Sequence, residues 1–369
     1  MASAPEPLPG PAADRCRFVS CKEDCMIRLD RSLIQCPSDD FDTRLAALRG
    51  KLQKAIELEH STIPPYLYAL YSIKDNSNLE IAALMLSVIK QEMLHMSLVC
   101  NVLNAVGGAP RIDDPAFIPS YPGHLPGGVE AGLVVPLAPL SKQVVRDVFM
   151  VIEAPDSTLD GDPPSDEGIT IGQFYRHLQA EIVALNHQRD IFTGDRARQL
   201  RVGFAELQDA GVIDQVSALR AIETIIDQGE GTRVSPFDGK DELSHYYRFA
   251  EIYHGRALVA NPDPQAGSAP WLFIGHPIRF DPAGVQPVIV NPSSASYHEH
   301  PQLAELNHDF NRGYSDLLRK LHQVFNGQPD WLGPALLEMQ ALKQQARLLM
   351  SREIVPGQTA GPTFDYLPA

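Results

Sequence analysis

Hydrophobic residues recur at helical spacing through most of the chain that follows residue 41. Two long stretches of this kind, residues 42–71 and 79–106, are separated by a polar turn at 74–78, and together they predict an antiparallel pair of helices. Pro64 and Pro65 lie inside the first stretch. We expect them to break or kink that helix, because proline has no N–H to donate and its ring clashes with the preceding turn.

The same spacing predicts further helices, and Pro- and Gly-rich segments separate them. The further predicted helices cover 142–153, 170–188, 196–209, 214–229, 241–259, 301–326 and 331–351. A connection as long as 109–168 between the second and third helices of a bundle indicates that those two helices run parallel. The predicted fold is therefore mainly α, a four-helix bundle with one long crossover, extra C-terminal helices and irregular Pro/Gly-rich segments.

Three regions follow from these patterns. Residues 1–41 form an irregular arm, 42–260 the bundle, and 261–369 a C-terminal extension whose two helices pack on the bundle. Four of the five cysteines fall in the arm, at Cys16, Cys21, Cys25 and Cys36. Their spacing matches no standard zinc or iron–sulfur pattern, so we interpret them as free thiols.

Composition narrows the classes of partner. The 369 residues carry a formal net charge of −15, which argues against nucleic acid or an anionic membrane, since both attract clustered Lys and Arg. No uninterrupted run of 18 apolar residues occurs, and the N-terminus lacks the basic start and apolar core of a secretory signal. We expect a cytoplasmic protein with a small-molecule substrate, and a homo-oligomer is compatible with the sequence.

An excess of one motif points to chemistry: five of the twelve histidines follow a glutamate by three residues. The five pairs are Glu57/His60, Glu92/His95, Glu242/His245, Glu251/His254 and Glu305/His308. Residues i and i+3 share one face of a helix, where a carboxylate and an imidazole can bind the same metal ion. Two such pairs, each facing a lone glutamate on a neighbouring helix, make a two-metal carboxylate site.

The first hairpin offers the best-defined half of such a site. Glu92 and His95 lie in the middle of an apolar helix, where an unpaired charge would be costly. Glu59 lies about 17 residues before the centre of the turn and Glu92 about 16 after it, so they fall at the same height in an antiparallel pair. Glu57 points away from Glu59 on the same helix, and we favour Glu59 as the ligand.

The second half has two solutions that periodicity cannot separate, because both are symmetric about a turn near Pro236. One combines Glu230 with Glu242 and His245, and the other combines Glu223 with Glu251 and His254. The remaining pairs, Glu57/His60 and Glu305/His308, are interpreted as helix-surface pairs.

A site of this kind contains four carboxylates and two imidazoles. Four negative charges balance two divalent irons, and oxygen and nitrogen ligands leave coordination positions open for dioxygen. No thiolate belongs to the set. Tyr66, Tyr68 and Tyr71 follow the two prolines and are interpreted as core residues or as hydrogen-bond donors to the site.

Several separated segments resemble one known family. They are LEHSTIPPYLYALYSI (around 59–73), IKQEMLHMSLVCNVLNAVGGAP (89–110), TIGQFYRHL (170–178), QGEGT (228–232), ELSHYYRFAEIYHGR (242–256), FNRGYSDLLRKLHQVFNG (310–327) and TAGPTFDY (359–366). These segments are similar to the ferritin-like domain of the iminophenyl-pyruvate dimer synthase family. The resemblance covers about residues 42–367 and is that of a stand-alone member.

The resemblance implies a ferritin-like bundle that binds iron and, in pathway members, couples two amino-acid-derived imines oxidatively. It also implies that Glu230, Glu242 and His245 complete the site with Glu59, Glu92 and His95. We therefore expect a di-iron oxidoreductase that acts on a small organic substrate with dioxygen or peroxide. The alternatives are a non-catalytic iron-binding or storage module and a metal-free helical scaffold.

Overall fold

The computed structural model describes most of the chain beyond the N-terminal arm. The described residues are 27–36, 38–128, 133–155, 168–201, 211–230, 235–238, 240–263, 265 and 268–368. Cys16, Cys21 and Cys25 lie outside these ranges, so the interpretation of their thiols stays a prediction. Cys36 is exposed and Cys100 is buried, and both are free thiols.

Helices make up most of the described structure. In chain order they are α1 Phe41–Tyr71, α2 Leu79–Ala105, α3 Lys142–Val144, α4 Met150–Ile152, α5 Ile171–Gln188, α6 Gln215–Glu230, α7 His245–His254, α8 Pro301–Phe325 and α9 Leu332–Met350. A π-helical turn, Val145–Phe149, joins α3 to α4. Two small antiparallel pairs of strands complete the elements: β1 Val259–Ala260 with β2 Trp271–Leu272, and β3 Glu353–Val355 with β4 Gln358–Thr359.

The bundle is built on the α1–α2 hairpin. α5 packs against α1, α6 packs against α2 and α5, and α7 packs against α2 and α6. The long connection between α2 and α5 carries α3, the π-helical turn and α4, which lie against α7. The mainly helical fold with a long crossover is thus the predicted one.

The C-terminal helices form a second hairpin outside the bundle. α8 and α9 pack on each other, and they contact α2 and α1 respectively. Phe310, Leu318 and Leu342 from this hairpin belong to the same buried apolar cluster as the bundle core. The two C-terminal helices therefore share one hydrophobic core with the bundle.

Helix α1 continues through Pro64 and Pro65, so of the predicted break or kink the break does not occur. Pro65 has no N–H for the carbonyl of Ser61, one turn earlier. The hydroxyl of Tyr121 donates to that carbonyl at 2.6 Å, so a side chain from the long connection replaces the missing backbone hydrogen bond. A buried carbonyl that has an alternative donor does not force the helix to end.

Two other predicted helices differ from the structure. The segment predicted as a helix at 196–209 has a short 3₁₀ turn at Arg196–Arg198, and 202–210 lie outside the described residues. The segment predicted as a helix at 241–259 is helical only over His245–His254. Gly255 adopts φ +74° and ends α7, in the left-handed conformation that favours glycine after a helix.

Helix α2 is long and apolar enough to cross a membrane, judged by length and composition alone. Most of the apolar stretch of α2 is buried inside the protein, and the helix packs against α1, α6 and α7. Its hydrophobic character is that of a core helix.

Candidate metal centre

Two groups of buried acidic and imidazole side chains lie at the centre of the bundle. One contains Glu59, Glu92 and His95, and the other contains Glu92, Glu153 and His245. Within each group, one potential ligand atom per residue lies within 4.8 Å of the others. None of the five residues is more than 7% exposed. Glu92 belongs to both groups, so its carboxylate lies between two adjacent sets of donors.

Each donor has its own supporting element. Glu59 comes from α1, Glu92 and His95 come from one turn of α2, and His245 is the first residue of α7. Glu153 follows α4 directly, one residue beyond the end of that short helix. The π-helical turn before α4 holds one more residue than an α-helical turn, and such turns often occur at functional sites.

The two histidines face the carboxylates through the same ring nitrogen. His245 Nδ1 lies 2.8 Å from Glu92 Oε1 and 3.3 Å from Glu153 Oε2. His95 Nδ1 lies 3.4 Å from Glu59 Oε2. The two imidazole rings are stacked, with centroids 5.4 Å apart.

Two glutamine side chains set the orientation of those rings. His95 Nε2 lies 3.0 Å from Gln228 Oε1, and His245 Nε2 lies 3.0 Å from Gln91 Oε1. An amide oxygen can only accept, so each Nε2 carries a hydrogen, and in a neutral ring Nδ1 then presents its lone pair. An outer hydrogen bond of this kind is what orients a metal-binding imidazole.

Each carboxylate also has an outer donor. Tyr175 donates its hydroxyl to Glu59 Oε1, and Tyr66 donates to Glu153 Oε1 at 2.5 Å. The Thr62 hydroxyl is shared between the backbone carbonyl of Glu59 at 2.9 Å and Glu92 Oε2 at 3.2 Å. All five potential ligands are therefore held by a side chain outside the group, which is the arrangement that keeps a metal site ordered.

Burial and mutual repulsion shape the electrostatics of the centre. Burial, together with the nearby charges of Glu153 and Glu59, raises the pKa of Glu92 well above its usual range. Burial also raises the pKa values of Tyr66 and Tyr175, so both phenols stay protonated and remain donors. Three carboxylates this close need positive charge between them or must take up protons.

The residues present fit a metal. His245 Nδ1 is buried and has no hydrogen-bond partner among the described residues, although two carboxylate oxygens lie near it. Lone pairs of an imidazole and a carboxylate repel each other unless a proton or a metal cation lies between them. Oxygen and imidazole donors without thiolate suit a divalent first-row metal. The donor set is therefore one that could bind a metal ion.

A cavity of about 50 Å³ adjoins the first group. Glu59, Glu92, His95 and Glu153 reach it, and most of the remaining wall is apolar, with Ile225 and Ile226 of α6 on one side. A small, mainly apolar space beside buried polar groups is where a reacting molecule can be kept from water.

Four of the six predicted ligands come together in the structure: Glu59, Glu92, His95 and His245. The structure places Glu242 elsewhere. Its carboxylate is 46% exposed and lies 3.1 Å from Arg248 Nη2. Glu230 is the last residue of α6, and its side chain lies outside what the structure describes, so its role as a ligand stays a prediction.

The displacement of Glu242 has a local cause. Asp238 Oδ1 accepts from the backbone N–H groups of Lys240 and Glu242, at 2.8 and 3.0 Å. This hydrogen bonding holds Glu242 in a turn, and α7 begins only at His245. Glu242 and His245 therefore do not share a helical face, and the i, i+3 spacing that predicted a common site does not apply.

The other candidate residues lie apart from the centre. Glu223 accepts from Gln179 at 3.0 Å, Glu251 accepts from the backbone N–H of Leu258 at 2.8 Å, and His254 stacks on Phe273. The alternative solution with Glu223, Glu251 and His254 is therefore not assembled in the structure.

The two pairs interpreted as helix-surface pairs differ from each other. Glu57 pairs with Lys54, and Glu305 and His308 are exposed on α8. His60 is instead buried, with Nε2 2.9 Å from the hydroxyl of Tyr314.

Sequence patterns missed three residues of the centre: Glu153, Gln91 and Gln228. Glu153 ends a short helix in the Pro/Gly-rich connection, where no long periodicity marks a buried face. Gln91 and Gln228 lie next to predicted ligands in QE and QGE, but a glutamine that orients a histidine is recognised only when the two side chains are seen together. The sequence signal for Glu153 was a glutamate directly after the apolar run 148–152.

The fold and the centre define a class of protein, a helical bundle with a buried carboxylate and histidine site in its core. Residues 52–254 match the family model described as Ferritin-like. This match spans more than half of the chain, and the chain belongs to the ferritin-like family.

The chain is similar to a curated protein and to a solved structure. Dichlorochromopyrrolate synthase of Lentzea aerocolonigenes is 26% identical over an alignment of 318 residues that covers 76% of this chain and 29% of that protein. The chain thus spans less than a third of that relative's length. The crystal structure of a ferritin-like protein from Caulobacter vibrioides covers 87% of this chain and 97% of its own, with a TM-score of 0.57 at 24% identity. That likeness shows the fold.

Proposed function

We propose that this protein is a di-iron oxidoreductase that oxidises a small, amino-acid-derived organic molecule with dioxygen or peroxide. The observation that carries the proposal is the pair of buried donor groups that share Glu92. A carboxylate common to two groups suits two adjacent ions, and the oxygen and imidazole donors suit iron. Two observations support a small organic substrate. The chain resembles the iminophenyl-pyruvate dimer synthase family, and it is 26% identical to dichlorochromopyrrolate synthase.

The ligand set that we propose differs in one residue from the one expected from sequence. Glu59 and His95 would hold one ion, Glu153 and His245 would hold the other, and Glu92 would be available to both. Glu153 takes the place expected for Glu242, and the carboxylate of Glu230 stays a predicted further ligand. When bound, the irons supply the one-electron steps by which dioxygen or peroxide accepts electrons from a substrate.

The surrounding side chains have separate tasks in this proposal. Gln91 and Gln228 keep a hydrogen on each Nε2, so that each Nδ1 remains a ligand. Tyr66 and Tyr175 donate to outer carboxylate oxygens and hold the ligands in place. The apolar wall of the cavity excludes bulk water from the reacting groups.

The test begins with iron content. Protein loaded anaerobically with Fe²⁺ should bind about two ions per chain, and the near-ultraviolet absorbance should change when dioxygen or peroxide is added. Glu92→Gln removes the shared carboxylate and should abolish both results, whereas Glu305→Gln, a change on the exposed face of α8, should leave both intact. Far more than two ions per chain would support storage instead. Two bound ions with no response to either oxidant would reject the oxidoreductase.

The class of substrate needs its own measurement. Iron-loaded protein should consume dioxygen faster in the presence of 2-imino acids generated from amino acids than in the presence of the amino acids alone. Glu92→Gln is the control, since it should leave only the uncatalysed rate. Equal consumption with and without every imino acid tested would reject this class of substrate.

A further inference from the structure

A second cavity of about 50 Å³ lies between the α1–α2 hairpin and the α8–α9 hairpin. We call it the α8 cavity. Its wall consists mostly of aliphatic, methionine and aromatic side chains, among them Ile63, Met96, Leu318 and Phe310. The metal centre does not use any of these side chains.

The α8 cavity lies beside the metal centre on the same two helices. His60 lines it and follows Glu59, and Met93 lines it and follows Glu92. Consecutive helical residues point about 100° apart, so His60 and Met93 lie on the faces of α1 and α2 next to those that carry Glu59 and Glu92. The side chains of this one helix pair separate the α8 cavity from the proposed metal ligands.

Polar groups at the wall are few and largely engaged. Ser97 donates to the carbonyl of Met93 at 2.8 Å, and Tyr314 Oη lies 2.9 Å from His60 Nε2. Burial raises the pKa of Tyr71, the fourth polar side chain of the wall, so its hydroxyl stays protonated. His60 Nδ1 is buried and lacks a hydrogen-bond partner among the described residues.

These groups make the α8 cavity a poor site for water. An internal water makes about three hydrogen bonds, and apolar cavities without such partners stay dry. The wall offers one unpartnered nitrogen, His60 Nδ1. A dry, apolar space has no means to bind an anion or a cation, but it accepts small apolar molecules.

The volume of the cavity limits the occupant. An engineered apolar cavity of about 150 Å³ holds benzene, and room for one water is about 10–15 Å³. The α8 cavity, at about 50 Å³, is too small for an aromatic ring and large enough for a diatomic gas. We propose that the α8 cavity is a docking site for dioxygen, which it holds beside the metal centre. The role of the α8 cavity in supplying dioxygen to the metal centre rests on the proposed function, whereas its binding of dioxygen does not.

The direct test detects dioxygen without iron. Full-length protein loaded with diamagnetic Zn²⁺ and labelled with ¹³C at the methionine methyl groups is compared under dioxygen and under nitrogen. Dissolved dioxygen is paramagnetic and should speed the relaxation of the Met96 methyl several-fold more than that of Met85 or Met350. All three side chains are buried, and only Met96 lines the α8 cavity. Equal enhancement at the three methyl groups would overturn the site.

A variant that fills the cavity tests its use. Leu318→Phe adds carbon atoms to the cavity wall, and Leu349→Phe makes the same change at a buried residue of α9 that does not line it. Leu318→Phe should remove the enhancement at Met96, and in iron-loaded protein it should raise the KM for dioxygen several-fold with kcat unchanged. Leu349→Phe should change neither.

The two proposals fail in different ways. Enhancement at Met96 in zinc-loaded protein, together with no reaction of the iron-loaded protein with oxidants, would reject the proposed function and leave the docking site standing. A normal reaction with dioxygen whose KM is the same in Leu318→Phe and in the unaltered protein would overturn the supply role and leave the metal centre standing.

Discussion

The α1–α2 hairpin and the segment that leads into α7 each carry a Glu-x-x-His motif, yet they deliver different residues to the metal centre. In α2, Glu92 and His95 are both helical, and both reach the centre. Before α7 the chain is a turn, so His245 reaches the centre and Glu242 pairs with Arg248. A motif defined by helical spacing brings two side chains together only where the helix is present at both positions.

The carboxylate that Glu242 does not supply comes from another part of the chain. Glu153 lies 3.3 Å from His245 Nδ1, and Tyr66 of α1 holds its outer oxygen. The second donor group is thus assembled from three separate elements, whereas the first comes from a single hairpin. This comparison predicts which histidines and carboxylates are needed for metal binding and which are not.

The largest expected effect separates two identical motifs in different surroundings. His95→Ala should lower bound iron from about two ions per chain to about one or fewer, because it removes an imidazole from the buried centre. His308→Ala, in the exposed pair with Glu305, should leave iron content unchanged. Metal analysis of the two purified variants checks this. Equal iron content in both would remove the distinction between buried and exposed motifs.

A second prediction separates Glu153 from Glu242. Glu153→Gln should weaken the binding of one ion by more than the roughly 100-fold that loss of an outer partner can cause, because a direct charged ligand is lost. Glu242→Gln should have a much smaller effect, since that carboxylate faces Arg248 and reaches His245 only through Gln91. Anaerobic titration with Fe²⁺ measures both. The reverse order of effects would restore the set predicted from sequence.

A smaller effect is expected for the glutamine behind His95. Gln228→Leu removes the acceptor for His95 Nε2, and loss of such an outer partner typically lowers metal affinity by about 10–100-fold. Gln179→Leu is the matched control, because Gln179 bonds to Glu223 and Leu219 away from the centre. Isothermal titration with a divalent metal reports both affinities. An unchanged affinity in Gln228→Leu would mean that the ring is oriented by packing alone.

Helical periodicity was sufficient to predict the α1–α2 hairpin and the ligand candidates on it. The apolar spacing in α1 and α2 is long and regular, and counting residues from the turn placed Glu59 opposite Glu92, where the structure has them. It was insufficient wherever side chains override the backbone pattern. Asp238 holds Glu242 in a turn where the apolar spacing predicts a helix. Tyr121 donates to the carbonyl of Ser61, so α1 continues through two prolines that were expected to break or kink it.

Glu153 shows a different limit. It belongs to a connection in which a π-helical turn, rather than a long regular helix, sets the direction of the side chain. A short irregular element has no periodicity from which a buried face can be read. Periodicity predicted the bundle and a second donor group, and the family resemblance selected Glu230, Glu242 and His245 for that group. Of these three residues, only His245 lies in the centre among the described side chains.

The central claim is that two metal ions share Glu92. Crystals of iron-loaded protein, measured at the iron absorption edge, provide the most direct test because anomalous scattering locates each ion without reference to activity. We predict two peaks per chain, one beside Glu59 and His95 and one beside Glu153 and His245, with the Glu92 carboxylate in contact with both. A single peak, or a second peak beside Glu242 rather than Glu153, would contradict the claim.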